Sequence, residues 1–263
     1  MSEPAEPKTP TAPPVGGLRH YLTVTRGPWY SFVFALPVLL AYEALIWLFG
    51  GRNIVNGADA VMSRLLQPIM LVFGSSRDQV LAVLLVIGGI CCLVSHRRRY
   101  AGRDDGHLRG KYFLAMLAES CIYGLFFGYA VSLVMVSLLP HGLLQVGGAQ
   151  GGVLFNLTMA LGAGIYEELF FRVIIMGGLA LAILRLGKWS PAAAWVVAAL
   201  LSSFIFSAFH YVGNLGDSFT LQSFMFRFIS GLLLASLYGL RGFGVAVWTH
   251  ALYDVLVMVL KGG

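Results

Sequence analysis

From Val153 to Leu184 the sequence is almost wholly apolar, yet it holds three ionisable residues close together, Glu167, Glu168 and Arg172. A run this long and this apolar has one stable form in a bilayer, a helix that satisfies its own backbone N–H and C=O groups. An ionisable side chain in hydrocarbon costs roughly 2.5–3.5 kcal/mol on insertion scales, so three of them in so short a span need partners. On an α-helix, neighbouring residues lie about 100° apart and residues four apart share a face. Glu168 and Arg172 are therefore expected to pair, and Glu167 to point elsewhere. Two readings of Glu167 stay open at this point: a polar knot that joins helices, or a functional carboxylate.

The rest of the chain is of the same kind. Of its 263 residues, 58% are hydrophobic and only 11% charged, too little charge to cover a soluble domain. The expected fold is all-α, a polytopic membrane helical bundle of about seven or eight transmembrane helices in contact with lipid. The net charge of +6 is no nucleic-acid signal, because Arg97, Arg98, Arg99, Arg103, Arg109 and Lys111 put one third of all Lys and Arg into one loop. Cys91, Cys92 and Cys121 lie in apolar runs and read as packing residues, since vicinal cysteines in an odd set make no disulfide framework.

Residues 1–28 read as a disordered N-terminal tail, rich in Pro, Thr and Ala at its start, with no signal-peptide pattern. Residues 29–263 form the transmembrane domain. Its expected spans are Trp29–Phe49, Val80–Ser95, Tyr112–Leu139, Val153–Leu184, Pro191–Tyr211, Phe219–Leu240 and Phe243–Leu260. Glu43, inside the first span, has no partner in reach along the chain and reads as a packing residue. Between the first two spans, Ile54–Phe73 is broken by Asp59, Arg64 and Gln67, which predicts an amphipathic interfacial helix or a re-entrant segment. Pro140–Gly152 reads as a turn. The positive-inside rule places the Arg-rich loop, and with it the N-terminus, in the cytoplasm; for a bacterial source the membrane is the inner membrane. There is no internal repeat.

Polar side chains that a lipid-facing helix would not carry recur on three late spans: Glu167, Glu168 and Arg172, then His210, then His250 with Asp254 four residues on. A histidine with a carboxylate one turn away is a polarised base or a metal ligand with its orienting partner. Two chemistries fit. A carboxylate and an imidazole can activate water against a peptide carbonyl while the other imidazole donates to the oxyanion. Alternatively Glu167, His210 and His250 bind zinc, which lowers the pKa of its bound water to about 7. There is no His-Glu-x-x-His and no Gly-x-Ser-x-Gly. Asn214-Leu215-Gly216-Asp217 lacks the first glycine of the aspartyl Gly-x-Gly-Asp motif and precedes Tyr253-Asp254, the wrong order for that class.

Glu-Glu-x-x-x-Arg (Glu167, Glu168, Arg172), Phe-x-x-x-His (Phe206, His210) and His-x-x-x-Asn/Asp (His250, Asp254) together resemble the CPBP family of CAAX prenyl endopeptidases and bacteriocin-processing enzymes, also called Abi. The resemblance covers about the last hundred residues and places a catalytic half at about 152–260. It implies an intramembrane endopeptidase acting on a membrane-anchored protein or peptide. Family members are described as metalloproteases or as glutamate proteases. Carried over in the second form, Glu167 and His210 activate water while His250 and Asp254 hold the oxyanion, with Glu168, Arg172 and Phe206 in support. Asp254 stands where the CAAX endopeptidases usually have Asn. An ionised Asp cannot donate a hydrogen bond, so its expected part is to orient His250. The competing classes are a non-catalytic immunity or scaffold protein, in which these groups only knit helices, and a proton-coupled transporter, whose inverted repeats are not seen.

Overall fold

The computed structural model describes residues 17–50, 56–101, 107–138, 152–187, 189–213 and 216–260. Helices α1 to α5 span Leu18–Thr25, Pro28–Leu45, Gly57–Phe73, Arg77–Arg99 and Gly110–Leu138. A long composite helix follows: α6 (Val153–Gly162), a wide π-helical segment (Ala163–Met176) and α7 (Gly177–Leu186). The chain ends with α8 (Pro191–Phe209), α9 (Leu221–Arg241) and α10 (Phe243–Val255). Among the described residues there is no strand, so the all-α membrane bundle holds.

Among the described residues six helices are long and apolar enough to cross a membrane: Pro28–Leu48, Arg77–Arg99, Gly110–Leu138, Val153–Leu186, Pro191–Phe209 and Leu221–Arg241. Phe243–Val259 is a shorter apolar helix. It sits at the centre, where α10 packs on α2, α5, α6, the π segment and α9, and its Val245, Ala246 and Val247 are fully buried. Apolar side chains on the outer helices point away from this core, among them Val86, Ile87 and Ile90 of α4 and Leu125, Phe126 and Tyr129 of α5. That is the surface a lipid solvent requires.

α3 is the segment expected at the interface, and it stands outside the six spans. Asn56 caps its N-terminus by accepting from the Ala58 N–H, and Gly74 closes its C-terminus in the left-handed conformation at φ 58°. Two expectations need correction. The tail drawn to residue 28 runs too far, because Leu18–Thr25 is a helix whose Tyr21 hydroxyl donates to Glu119 at 2.7 Å; residues 1–16 lie outside the described residues. Glu43 is not a lone packing residue. Arg77, at the first position of α4, grips it through two hydrogen bonds of 2.9 and 3.0 Å. The two are 34 positions apart, so sequence spacing could not pair them. The turn expected at Pro140–Gly152 falls almost wholly outside the described residues, as does Asn214-Leu215. Cys91, Cys92 and Cys121 are free.

Candidate active site

The π segment carries the Glu-Glu-x-x-x-Arg residues, and α10 lies along it. Close approach is possible because Gly164 has no side chain: a Cβ there would stand 2.6 Å from the Ala251 Cβ and 2.9 Å from the Val247 carbonyl oxygen. Glu168 and Arg172 are fully buried and pair as expected, with Nε 3.3 Å from Oε2. The Arg172 guanidinium also lies over the Phe206 ring, 4.9 Å from its centroid. Glu168 has a second partner that the sequence did not announce, His250, whose Nδ1 is 2.9 Å from Oε1.

Glu167 does not turn away from its neighbour, contrary to the expectation. Its Oε2 is 4.0 Å from His250 Nε2, and Asp254 Oδ2 is 3.5 Å from the same nitrogen. The reason is the winding. A π-helix, with i→i+5 bonds, holds more residues per turn than an α-helix, so consecutive side chains diverge by less than 100°. Both carboxylates therefore face α10. The imidazole of His250 has one carboxylate on Nδ1 and two on the Nε2 side.

His210 caps the end of α8. Its Nδ1 is 2.8 Å from the Phe206 carbonyl oxygen, which can only accept, so the proton is assigned to Nδ1 and the lone pair to Nε2. The Phe206 ring stands between the two imidazoles, with centroids 4.9 Å from His210 and 6.4 Å from His250. The seven side chains singled out in the sequence thus form one connected set across the π segment, α8 and α10, with His210 joined to it through the Phe206 ring.

The sequence reading missed a further set from the first half of the chain. Asn56 Nδ2 donates to Glu167 Oε1 at 3.0 Å. The Asn56 backbone N–H donates to the Tyr42 hydroxyl, which in turn donates to Asp59. Asp59 accepts from Arg77, and Arg77 also donates to the Tyr166 hydroxyl at 2.7 Å. Tyr166 closes the network by donating to Glu43. An Asn before a helix start reads from sequence as a cap; the further cue was two acids in apolar runs, Glu43 and Asp59, and an arginine, Arg77, at the polar start of the next span.

In the zinc reading Glu167, His210 and His250 would be the ligands. Among the described residues no group of three His, Cys, Asp or Glu side chains could hold a metal ion, and both nitrogens of His250 already face carboxylates.

Residues 149–256 match the family model described as Type II CAAX prenyl endopeptidase Rce1-like, a group within the CPBP family. The motif region resembles CPBP. The match takes in Glu167, Glu168, Arg172, Phe206, His210, His250 and Asp254, and it leaves out Tyr42, Glu43, Asn56, Asp59 and Arg77. The match supports an intramembrane endopeptidase as the general class, carried by a multi-pass integral membrane protein. No curated protein and no solved structure matches the chain.

Proposed function

We propose that this chain hydrolyses a peptide bond of a membrane-anchored protein or peptide with water activated by Glu167 and His210. The observation that carries the reading is that Glu167, buried and held by Asn56, stands 4.0 Å from the His250 imidazole, with His210 joined to the same cluster through the Phe206 ring. Glu167, fixed by Asn56 through one oxygen, keeps the other for a water proton. His210, protonated on Nδ1, offers Nε2 as the second acceptor. The water oxygen adds to the carbonyl carbon, and its proton passes to the Glu167–His210 pair and then to the leaving amine. The developing oxyanion needs a donor, and His250 supplies it. Glu168 and Asp254 flank this ring and hold it as a doubly protonated donor, so Asp254 acts through His250 and not by donating itself. Arg172 balances the charge of Glu168.

The matched family model is described as a type II CAAX prenyl endopeptidase, and a prenylated CAAX peptide is the substrate to try first. The zinc form of the reaction is a competing proposal, which metal content of the purified protein and activity before and after chelation will decide. The N-terminus and the Arg-rich segment are placed in the cytoplasm, and a bacterial source makes the membrane the inner one. In proteoliposomes, the parent chain is expected to cleave a fluorogenic prenylated CAAX peptide, and Glu167→Gln and His210→Ala to lose that cleavage. Equal cleavage by parent and variants removes the proposal and leaves the non-catalytic reading, in which the same groups only join helices.

A further inference from the structure

We infer that Asn56 is a positioning residue for Glu167, so that the reactive carboxylate is set by the interfacial helix α3, outside the CPBP-matched region. The inference rests on the proposed role of Glu167 as base. Asn56 divides its amide between two tasks. Its Oδ1 accepts from the Ala58 N–H at 2.8 Å and caps α3, while its Nδ2 donates to Glu167 Oε1 at 3.0 Å. The amide orientation is unambiguous, because the backbone N–H requires an acceptor and a carboxylate requires a donor.

The contact is built and not incidental. Asn56 is buried, and its backbone N–H is held by the Tyr42 hydroxyl at 3.1 Å. Tyr42 is held by Asp59, and Asp59 by Arg77, which is itself anchored to Glu43. The chain between α2 and α4 is thus tied to the π segment by a series of buried hydrogen bonds that ends on Glu167. Gly162 makes room for that end: a Cβ there would lie 2.6 Å from the Tyr42 ring and 2.8 Å from the Asn56 Cβ. A carboxylate with one oxygen fixed by a neutral donor keeps its charge and its direction. Its second oxygen then faces the His250 ring in one geometry. A general base needs that orientation more than it needs any further charge.

Two substitutions separate positioning from capping. Asn56→Ser keeps a good N-cap but cannot reach Glu167. Asn56→Asp also keeps the cap and replaces the donor by a second carboxylate against Glu167. The experiment follows cleavage of the prenylated CAAX peptide, and thermal unfolding, for the full chain in detergent or proteoliposomes. It compares the parent, N56S, N56D, E167Q and N56D/E167Q. The expected result for N56S is a parent-like Tm, an unchanged KM and a kcat lowered roughly ten- to a hundredfold, the loss typical when a group that orients a reacting residue is removed. N56D is expected to lower Tm as well. In N56D/E167Q the pair is restored with the roles exchanged, Gln donating to Asp, so Tm recovers while cleavage stays absent. If N56S keeps the parent kcat, or if N56D lowers Tm equally in both backgrounds, Asn56 is only a helix cap and the inference is overturned. If instead E167Q cleaves as the parent does, it is the protease reading that fails, and the Tm recovery of the double variant still decides whether Asn56 holds Glu167.

Discussion

Glu167 and Glu168 are adjacent, both buried, and opposite in consequence. Glu168 stands between Arg172 and His250, at 3.3 and 2.9 Å, and all three side chains are withdrawn from solvent. Removing it leaves the buried guanidinium without its ion-pair partner. Breaking a buried ion pair from one side typically costs about 3–5 kcal/mol. Glu168→Ala is therefore expected to lower Tm sharply in detergent, together with activity. Glu167→Gln keeps an oxygen for the Asn56 donor and should leave Tm near the parent value while cleavage stops. Equal Tm losses in the two variants would show that Glu167 is a structural partner like its neighbour. The sequence displayed both residues because an ionisable group in an apolar run is conspicuous. It could assign Arg172 to Glu168, four positions on, but not His250, 82 positions away. It also gave no sign of Asn56, since an Asn at a helix start has an ordinary explanation.

At the level of elements, the site depends on how closely α10 approaches the π segment. Gly164 sets that distance, and a methyl group there meets Ala251 and the Val247 carbonyl well inside van der Waals contact. Overpacking of this kind costs typically about 1–3 kcal/mol, and here it displaces the helix that carries His250. Gly164→Ala is expected to lower both Tm and cleavage. Gly178→Ala is the control within the same composite helix: nothing lies within 4 Å of a Cβ at Gly178, and alanine is the better helix former by about 1 kcal/mol. A Gly164→Ala chain with parent-like kinetics would mean that α10 can shift without moving His250. The elements themselves were legible, because long apolar runs in a bilayer leave only helices. The wide winding of 163–176 was not legible, since its residues suit an α-helix equally well. That winding is what turns Glu167 and Glu168 toward the same imidazole. Glu43 and Arg77 were likewise hidden, because α2 and α4 meet only in the folded bundle.

Across the whole molecule, basic residues gather at one end and the polar network at the other. Arg19 and Arg26 precede α2, Arg97, Arg98 and Arg99 end α4, Arg109 and Lys111 flank the start of α5, and Arg185 and Arg241 end α7 and α9. Since the spans alternate in direction, these termini share one face of the bundle. His210 at the end of α8, Asn56 before α3 and Arg77 at the start of α4 belong to the opposite face. The span count alone could suggest this, because it put His210 at the far end of its helix from the basic loops, but it could not say that α3 closes over that end. By the positive-inside rule the Arg-rich face is expected in the cytoplasm, and the proposed scissile bond would then be reached from the other side. Single cysteines in a chain whose Cys91, Cys92 and Cys121 are replaced by serine give a direct reading. Ser218→Cys, in the exposed stretch after α8, is expected to react with a membrane-impermeant maleimide on intact cells. Arg98→Cys, exposed at the end of α4, should react only after permeabilisation. The reverse pattern would turn the bundle over, bring Glu167 within reach of cytoplasmic peptides, and leave the internal geometry of the site untouched.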